Sequence, residues 1–168
     1  MKKKIVDYRG YLTEIMKAFD ENRVLLVSQG NEGPPNAMAI GWGTVGLIWS
    51  KPIFLVLVRP SRHTYKLIEE TGEFTVNIVP EGLKEVVAYC GTATGREHNK
   101  LQEKQLTVIP SIKVKPPIIQ EAILHFECRV VNRNDLAPSE LAKPIIPALY
   151  PKGDFHRLYF GEILSCRT

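Results

Sequence analysis

Apolar and polar positions recur along this chain with two periods, and each period predicts a different element. Residues 11 to 20, YLTEIMKAFD, place Leu12, Ile15, Met16 and Phe19 at the i, i+3, i+4, i+7 spacing of an amphipathic helix. RVLLVSQ then reads as a strand, and GNEGPPN after it is dense in turn residues. Two extended segments follow, AMAIGWGTVGLIW and IFLVLVR, separated by the breaker SKP, and their succession predicts an antiparallel start. A short helix is expected over 62–71, with Ser61 as its N-cap, Tyr65 and Ile68 on one side and Gly72 as its stop.

EFTVNIV alternates Phe74, Val76 and Ile78 as a strand, whereas GLKEVVAYC returns to helical spacing through Leu83, Val86, Val87 and Cys90. GTATGREHNK has no periodicity. ILHFECRVV sets Leu124, Phe126, Cys128 and Val130 against His125, Glu127 and Arg129, the pattern of a strand buried on one face, and RLYFGEIL behaves similarly. Short strands outnumber helices and strict βα alternation is missing. The expected fold is therefore mainly β, a small antiparallel β-barrel with peripheral helices. No repeat or linker interrupts the chain, so residues 1–168 are expected to form one domain.

Composition changes this picture little. With 44% apolar and 24% charged residues, 12 Gly and 12 Pro, the chain is ordinary for a globular protein and excludes long fibrous or disordered segments. Lys plus Arg is 22 against 18 acidic residues, a mild bias toward anionic partners, and Lys2, Lys3 and Lys4 read as a solvated tail. No basic strand interleaved with aromatics appears, so nucleic acid is not an expected partner. Cys90, Cys128 and Cys166 are far apart and form no CxxC pair, which argues for a reducing compartment and against a zinc site. MKKKIVDYRGYL begins like a signal peptide, but Asp7, Tyr8 and Arg9 interrupt the apolar region, and no stretch reaches the ~20 apolar residues of a membrane span. A cytoplasmic protein with no membrane partner is expected.

The candidate chemistry sits in RPSRHTYK, residues 59–66, directly after the apolar run PIFLVLV. A helix starting after Ser61 leaves its first amides unpaired and its dipole positive, which favours a phosphate. Arg59 and Arg62 are suited to a bidentate grip on that phosphate, with the Ser61 and Thr64 hydroxyls as further donors. The competing reading is a cap and two solvated charges. GWGTVG, residues 41–46, matches GxGxxG, but the LIWSKPIFLVLV that follows is β-rich, so the helix that a dinucleotide motif needs is missing. Those glycines instead let a strand kink or a flat ligand lie against the backbone. His125 and Cys128, three apart on a strand, face opposite ways, and neither a metal-ligand set nor a catalytic triad is expected.

Taken in order, NAMAIGWGTVG, RPSRHTY, FTVN and CGTATGREHNK resemble the flavin reductase-like, FMN-binding family, which includes flavoredoxins, over about residues 22–165. The resemblance implies an FMN-binding split barrel with a Greek-key antiparallel sheet. It also implies that Arg59, Ser61, Arg62, Thr64 and Lys100 hold the FMN phosphate, while Asn36, Ala37, Met38 and the segment Trp42, Gly43 and Thr44 run along the ring. His156 becomes a candidate to reach the flavin or a nicotinamide, beside the plainer reading of a loop hydrogen bond. Cys90 reads as core, with a redox thiol beside the flavin as the alternative. Trp42 and Trp49 read as core or interface, Trp42 also as a wall of the ring site.

Departures from the family pattern are Ala39 in place of a frequent threonine, and Glu97, His98 and Asn99 before the lysine. A C-terminal arm seen in many relatives is expected to be lacking. The implied activity is transfer of hydride from NAD(P)H to FMN and of electrons onward, in a homodimer. The alternative is a flavoredoxin-type FMN electron carrier, reduced by a redox protein partner without NAD(P)H turnover.

Overall fold

A computed structural model describes residues 3–168. Helix α1 (Leu12–Asp20) forms where the first amphipathic pattern predicts it, burying Ile15, Ala18 and Phe19. Strands β1 (Val24–Ser28), β2 (Asn36–Ala39), β3 (Gly43–Ile48) and β4 (Lys51–Val58) follow, then α2 (His63–Thr71) and β5 (Glu73–Ile78). The remainder is α3 (Lys84–Thr92), α4 (Lys100–Glu103), the two-residue strands β6 (Val108–Ile109) and β7 (Ile118–Ile119), β8 (Leu124–Asp135), α5 (Ile145–Leu149) and β9 (Arg157–Arg167).

Seven strands make one antiparallel sheet in the order β2-β1-β5-β8-β9-β4-β3, and β6 pairs with β7 apart from it. The β1–β5 and β4–β9 pairings join strands remote in sequence, which gives the expected Greek-key antiparallel barrel with peripheral helices. AMAIGWGTVGLIW is two strands rather than one extended segment, because β2 and β3 occupy opposite ends of the strand order. Ile40 still donates its amide to Val24 O, and Gly43 already pairs with Val56, so Gly41 and Trp42 alone carry the chain between the two sheet edges. Three Cα steps reach at most about 11 Å. The sheet must therefore roll until its edges nearly meet.

Rolling encloses an apolar interior. Leu26, Met38, Phe54, Phe74, Phe126 and Tyr159 belong to one buried cluster, in which Phe54 meets Phe126 edge-on at 5.1 Å. β1 is buried on both faces: Val24 and Leu26 join that cluster, while Leu25 and Val27 join a second one with Val87, Cys90 and Leu101 from α3 and α4. This packing seats α3 and α4 on the outside of β1 and β2. Helix α2 is fastened at its far side by Glu69, which accepts from the Tyr159 hydroxyl and pairs with Arg133 and Arg157. Gly72 closes α2 at φ 67°, a left-handed conformation that glycine adopts without strain.

Two expectations change. Ser61 is not the N-cap of α2; Arg62 occupies that position with extended backbone, and the Ser61 hydroxyl donates to Asp154 instead. The lysines are not all a free tail either, since Lys3 Nζ donates to Ala122 O and the Lys4 backbone pairs with Thr168. Lys2 lies outside the described residues.

Candidate functional site

The start of α2 meets the 93–100 segment and β2 at a cleft of about 160 Å³. Its walls are residues 61–64, residues 93–96, Asn36 and Met38, with Cys90 and Lys100 deeper. First-turn amides of a helix have no intrahelical acceptor, so His63 and Thr64 bring free donors here. Arg62 uses one N–H on Gly91 O at 3.2 Å and Arg96 uses one on Ser61 O at 3.0 Å, leaving most of each guanidinium fork for a ligand. Lys100 is only 4% exposed and donates to Cys90 O and Ala93 O, so one of its three N–H groups is left over.

Charge and burial set protonation here. Burial lowers the pKa of Lys100, and Arg62 lowers it further. His63 is likewise lowered, first by burial and then by Arg96, Lys66 and Lys100, so at neutral pH it is an uncharged ring among cations. Burial raises Cys90 although Lys100 and Lys104 oppose it. That thiol is packed beneath the cleft as core, and the burial that raises its pKa argues against a nucleophilic thiolate. Gly95 has no room for a side chain, since a Cβ there would fall 2.0 Å from Asn36 Oδ1 and 3.0 Å from His63.

A second cleft of about 280 Å³ adjoins the first and shares Met38 and Arg62 with it. Residues 38–42, Leu57, Arg59 and His156 form its walls. Trp42 is 41% exposed, with its ring 5.1 Å from that of His156 at a tilt of 56°. His156 Nδ1 lies 2.7 Å from the Tyr150 hydroxyl, and its pKa is pushed down to about 4 by burial and then by Arg59. Arg59 stacks over Tyr150 at 4.9 Å and donates to Leu149 O at 2.9 Å and Asp154 O at 3.2 Å.

Asn36, Met38, Ser61, Arg62, Thr64 and Lys100 thus share the first cleft, and Met38, Trp42, Arg59, Arg62 and His156 the second. Thr64 is buried, its hydroxyl accepting from Asn36 Nδ2 at 2.9 Å. Arg59 lines the second cleft together with Arg62 rather than the first, and Ser61 spends both its amide and its hydroxyl on the Asp154 carboxylate. Ala37, Gly43 and Thr44 reach neither cleft. The Ala37 side chain lies in the second core cluster, and Gly43 is needed because a Cβ would come 2.7 Å from the Phe19 ring. Thr94, Gly95, Arg96 and Asp154 were not among the expected residues. For Thr94, Gly95 and Arg96 the only signal was a glycine, hydroxyls and an arginine crowded in the aperiodic stretch GTATGREHNK; Asp154, in the turn after α5, gave none.

The donor set fits a phosphate-bearing ring ligand. Arg62, Arg96, Lys100 and two helix amides suit a dianion, and the neighbouring aromatic cleft, which shares Met38 and Arg62 with it, suits a flat ring. The family model of the Flavin reductase like domain matches residues 16–168. An uncharacterized protein from Archaeoglobus fulgidus is 34% identical over 98% of this chain and 78% of its own. Flavoredoxin from Methanosarcina acetivorans superposes with a TM-score of 0.68 at 27% identity, over 85% of this chain; the chain spans 66% of that protein's length. The FMN-binding domain of a flavin reductases-like enzyme from Shewanella baltica superposes with the same TM-score, 0.68, at 17% identity, over 99% of this chain and 77% of that one, a likeness of fold alone. With the matched residues running from α1 to the end of β9, the chain belongs to the Flavin reductase like domain family.

Proposed function

We propose that this chain is an FMN-binding oxidoreductase of the flavin reductase type, with NAD(P)H as the transient donor. The observation that carries the reading is that two neighbouring clefts share Met38 and Arg62 as wall residues, one rich in cations and the other bounded by Trp42 and His156. Arg62, Arg96, Lys100 and the first amides of α2 hold the phosphate. Met38, residues 39–41 and Trp42 bound the ring, and His156 stands at its edge as an uncharged imidazole. When bound, FMN supplies hydride acceptance and one-electron delivery, so the chain itself needs no acid–base pair, only binding, orientation and exclusion of water.

Ser61 joins the phosphate ligands when the Asp154 carboxylate leaves it, because both are acceptors for the same amide and hydroxyl. The unpaired edge of β3, with Leu47 66% exposed on it and Trp49 57% exposed in the turn that follows, supports a homodimer. The continuous seven-stranded sheet supports reading residues 1–168 as one domain.

The test is spectroscopic. Purified protein titrated with FMN should bind it with a perturbed flavin spectrum, and riboflavin should bind much more weakly. Anaerobic mixing with NADH or NADPH should then bleach the flavin rapidly. Equal curves for FMN and riboflavin would overturn the phosphate assignment. Likeness to flavoredoxin supports the second reading, an electron carrier, which predicts bleaching only by a reduced protein donor.

A further inference from the structure

We infer that Tyr150 is a positioning residue: its hydroxyl holds the neutral His156 ring in the Nε2–H tautomer, so that the second cleft carries a fixed hydrogen-bond donor for an acceptor oxygen or nitrogen of the molecule bound there. Tyr150 is 4% exposed and stacks on Phe155 at 4.8 Å. The Arg59 guanidinium lies over the same ring at 4.9 Å, and the hydroxyl stands 2.7 Å from His156 Nδ1, with the His156 backbone N–H also acting on it. A phenol has one proton and an imidazole has two chemically distinct nitrogens.

Were Nδ1 the protonated nitrogen, the phenol oxygen would face two N–H donors, that ring nitrogen and the His156 backbone, and its own proton would have no acceptor among the described residues, at the cost of an unmade hydrogen bond. With Nδ1 bare, the phenol donates to it and the ring proton must sit on Nε2. Nε2 has no partner among the described residues, while His156 lines the second cleft beside Trp42, the two rings in contact at 5.1 Å. Arg59, Arg62 and Asp154 are the charged groups acting on the ring, and burial with the two arginines keeps it neutral above about pH 4. A neutral donor beside two guanidiniums favours an electron-rich acceptor group, such as a ring carbonyl or a carboxamide oxygen. Tyr150 does not line the cleft, so it acts only through His156.

This inference rests on the proposed ligand cleft for its purpose, but its core can be tested without a ligand. Nitrogen NMR of histidine-labelled, flavin-free protein at pH 7 should show His156 as the Nε2–H tautomer, with Tyr150→Phe giving a mixture of tautomers while keeping the ring stack. In Tyr150→Phe, FMN and riboflavin should both weaken, by roughly twofold to tenfold, the scale of one neutral hydrogen bond. His156→Gln, which carries its own amide donor, should be insensitive to a second Tyr150→Phe change. An Nδ1–H tautomer in wild type, or the same tautomer population in Tyr150→Phe, would overturn the inference. Failure of FMN to bind with the tautomer intact would instead overturn the proposed function.

Discussion

Single side chains decide whether the first cleft takes a dianion. Arg62→Ala or Arg96→Ala should each weaken FMN by ~1.5–3 kcal/mol, roughly tenfold to a hundredfold, and leave riboflavin nearly unchanged in fluorescence titrations. Gly95→Ala should abolish tight FMN binding, because the new methyl would overlap the Asn36 amide, and circular dichroism should report an intact fold. His156 predicts a pH effect on stability. Its folded pKa, about 4, lies below the unfolded value of about 6.5, so the unfolded chain takes up the proton first as the solution is acidified. The contribution is complete above pH ~6.5 and gone below about 4. Urea midpoints of wild type should therefore fall more steeply than those of His156→Gln across that window. Of these residues Arg62 was legible from sequence, because charge and hydroxyls crowd after an apolar strand. Arg96 was not, since nothing local says that an aperiodic loop folds back on α2.

At the scale of elements, periodicity found the helices and strands but not their partners. β1 looked like any apolar strand, and only the fold shows that α3 covers its outer face. The stretch through GWGTVG was read as one strand because alternation does not reveal a crossover, and its Gly43 serves α1, where Phe19 packs against it. A comparable fit joins β9 to β5. A Cβ on Gly161 would lie 2.4 Å from the Phe74 ring and 2.9 Å from Cys128 Cβ. Gly161→Ala should cost ~1–3 kcal/mol in chemical denaturation, the usual range for overpacking, and Phe74→Leu in the same chain should recover part of it. The turn after α5 was likewise silent in sequence. Asp154→Asn removes a negative charge from Ser61, so FMN should bind several-fold more tightly if the carboxylate and the phosphate compete for that residue; unchanged affinity would show that they do not.

For the molecule as a whole, the barrel class was legible because short alternating strands outnumber helices, and the order of four motifs carried the family. Neither stated where two edges of the sheet would lie. The β3 edge bears Leu47, with Trp49 exposed in the turn that follows, so Leu47→Lys should shift the protein toward a monomer in sedimentation experiments if this edge is the dimer contact. Gly41 and Trp42 have a broader consequence, since they leash one rim of the sheet to the other. The gap can narrow but cannot gape, so a guest of fixed thickness behaves as a gauge block between jaws. New guests must be admitted by reshaping the walls rather than by widening the door, and one glycine inserted after Gly41 should let bulkier ring analogues bind as well as FMN.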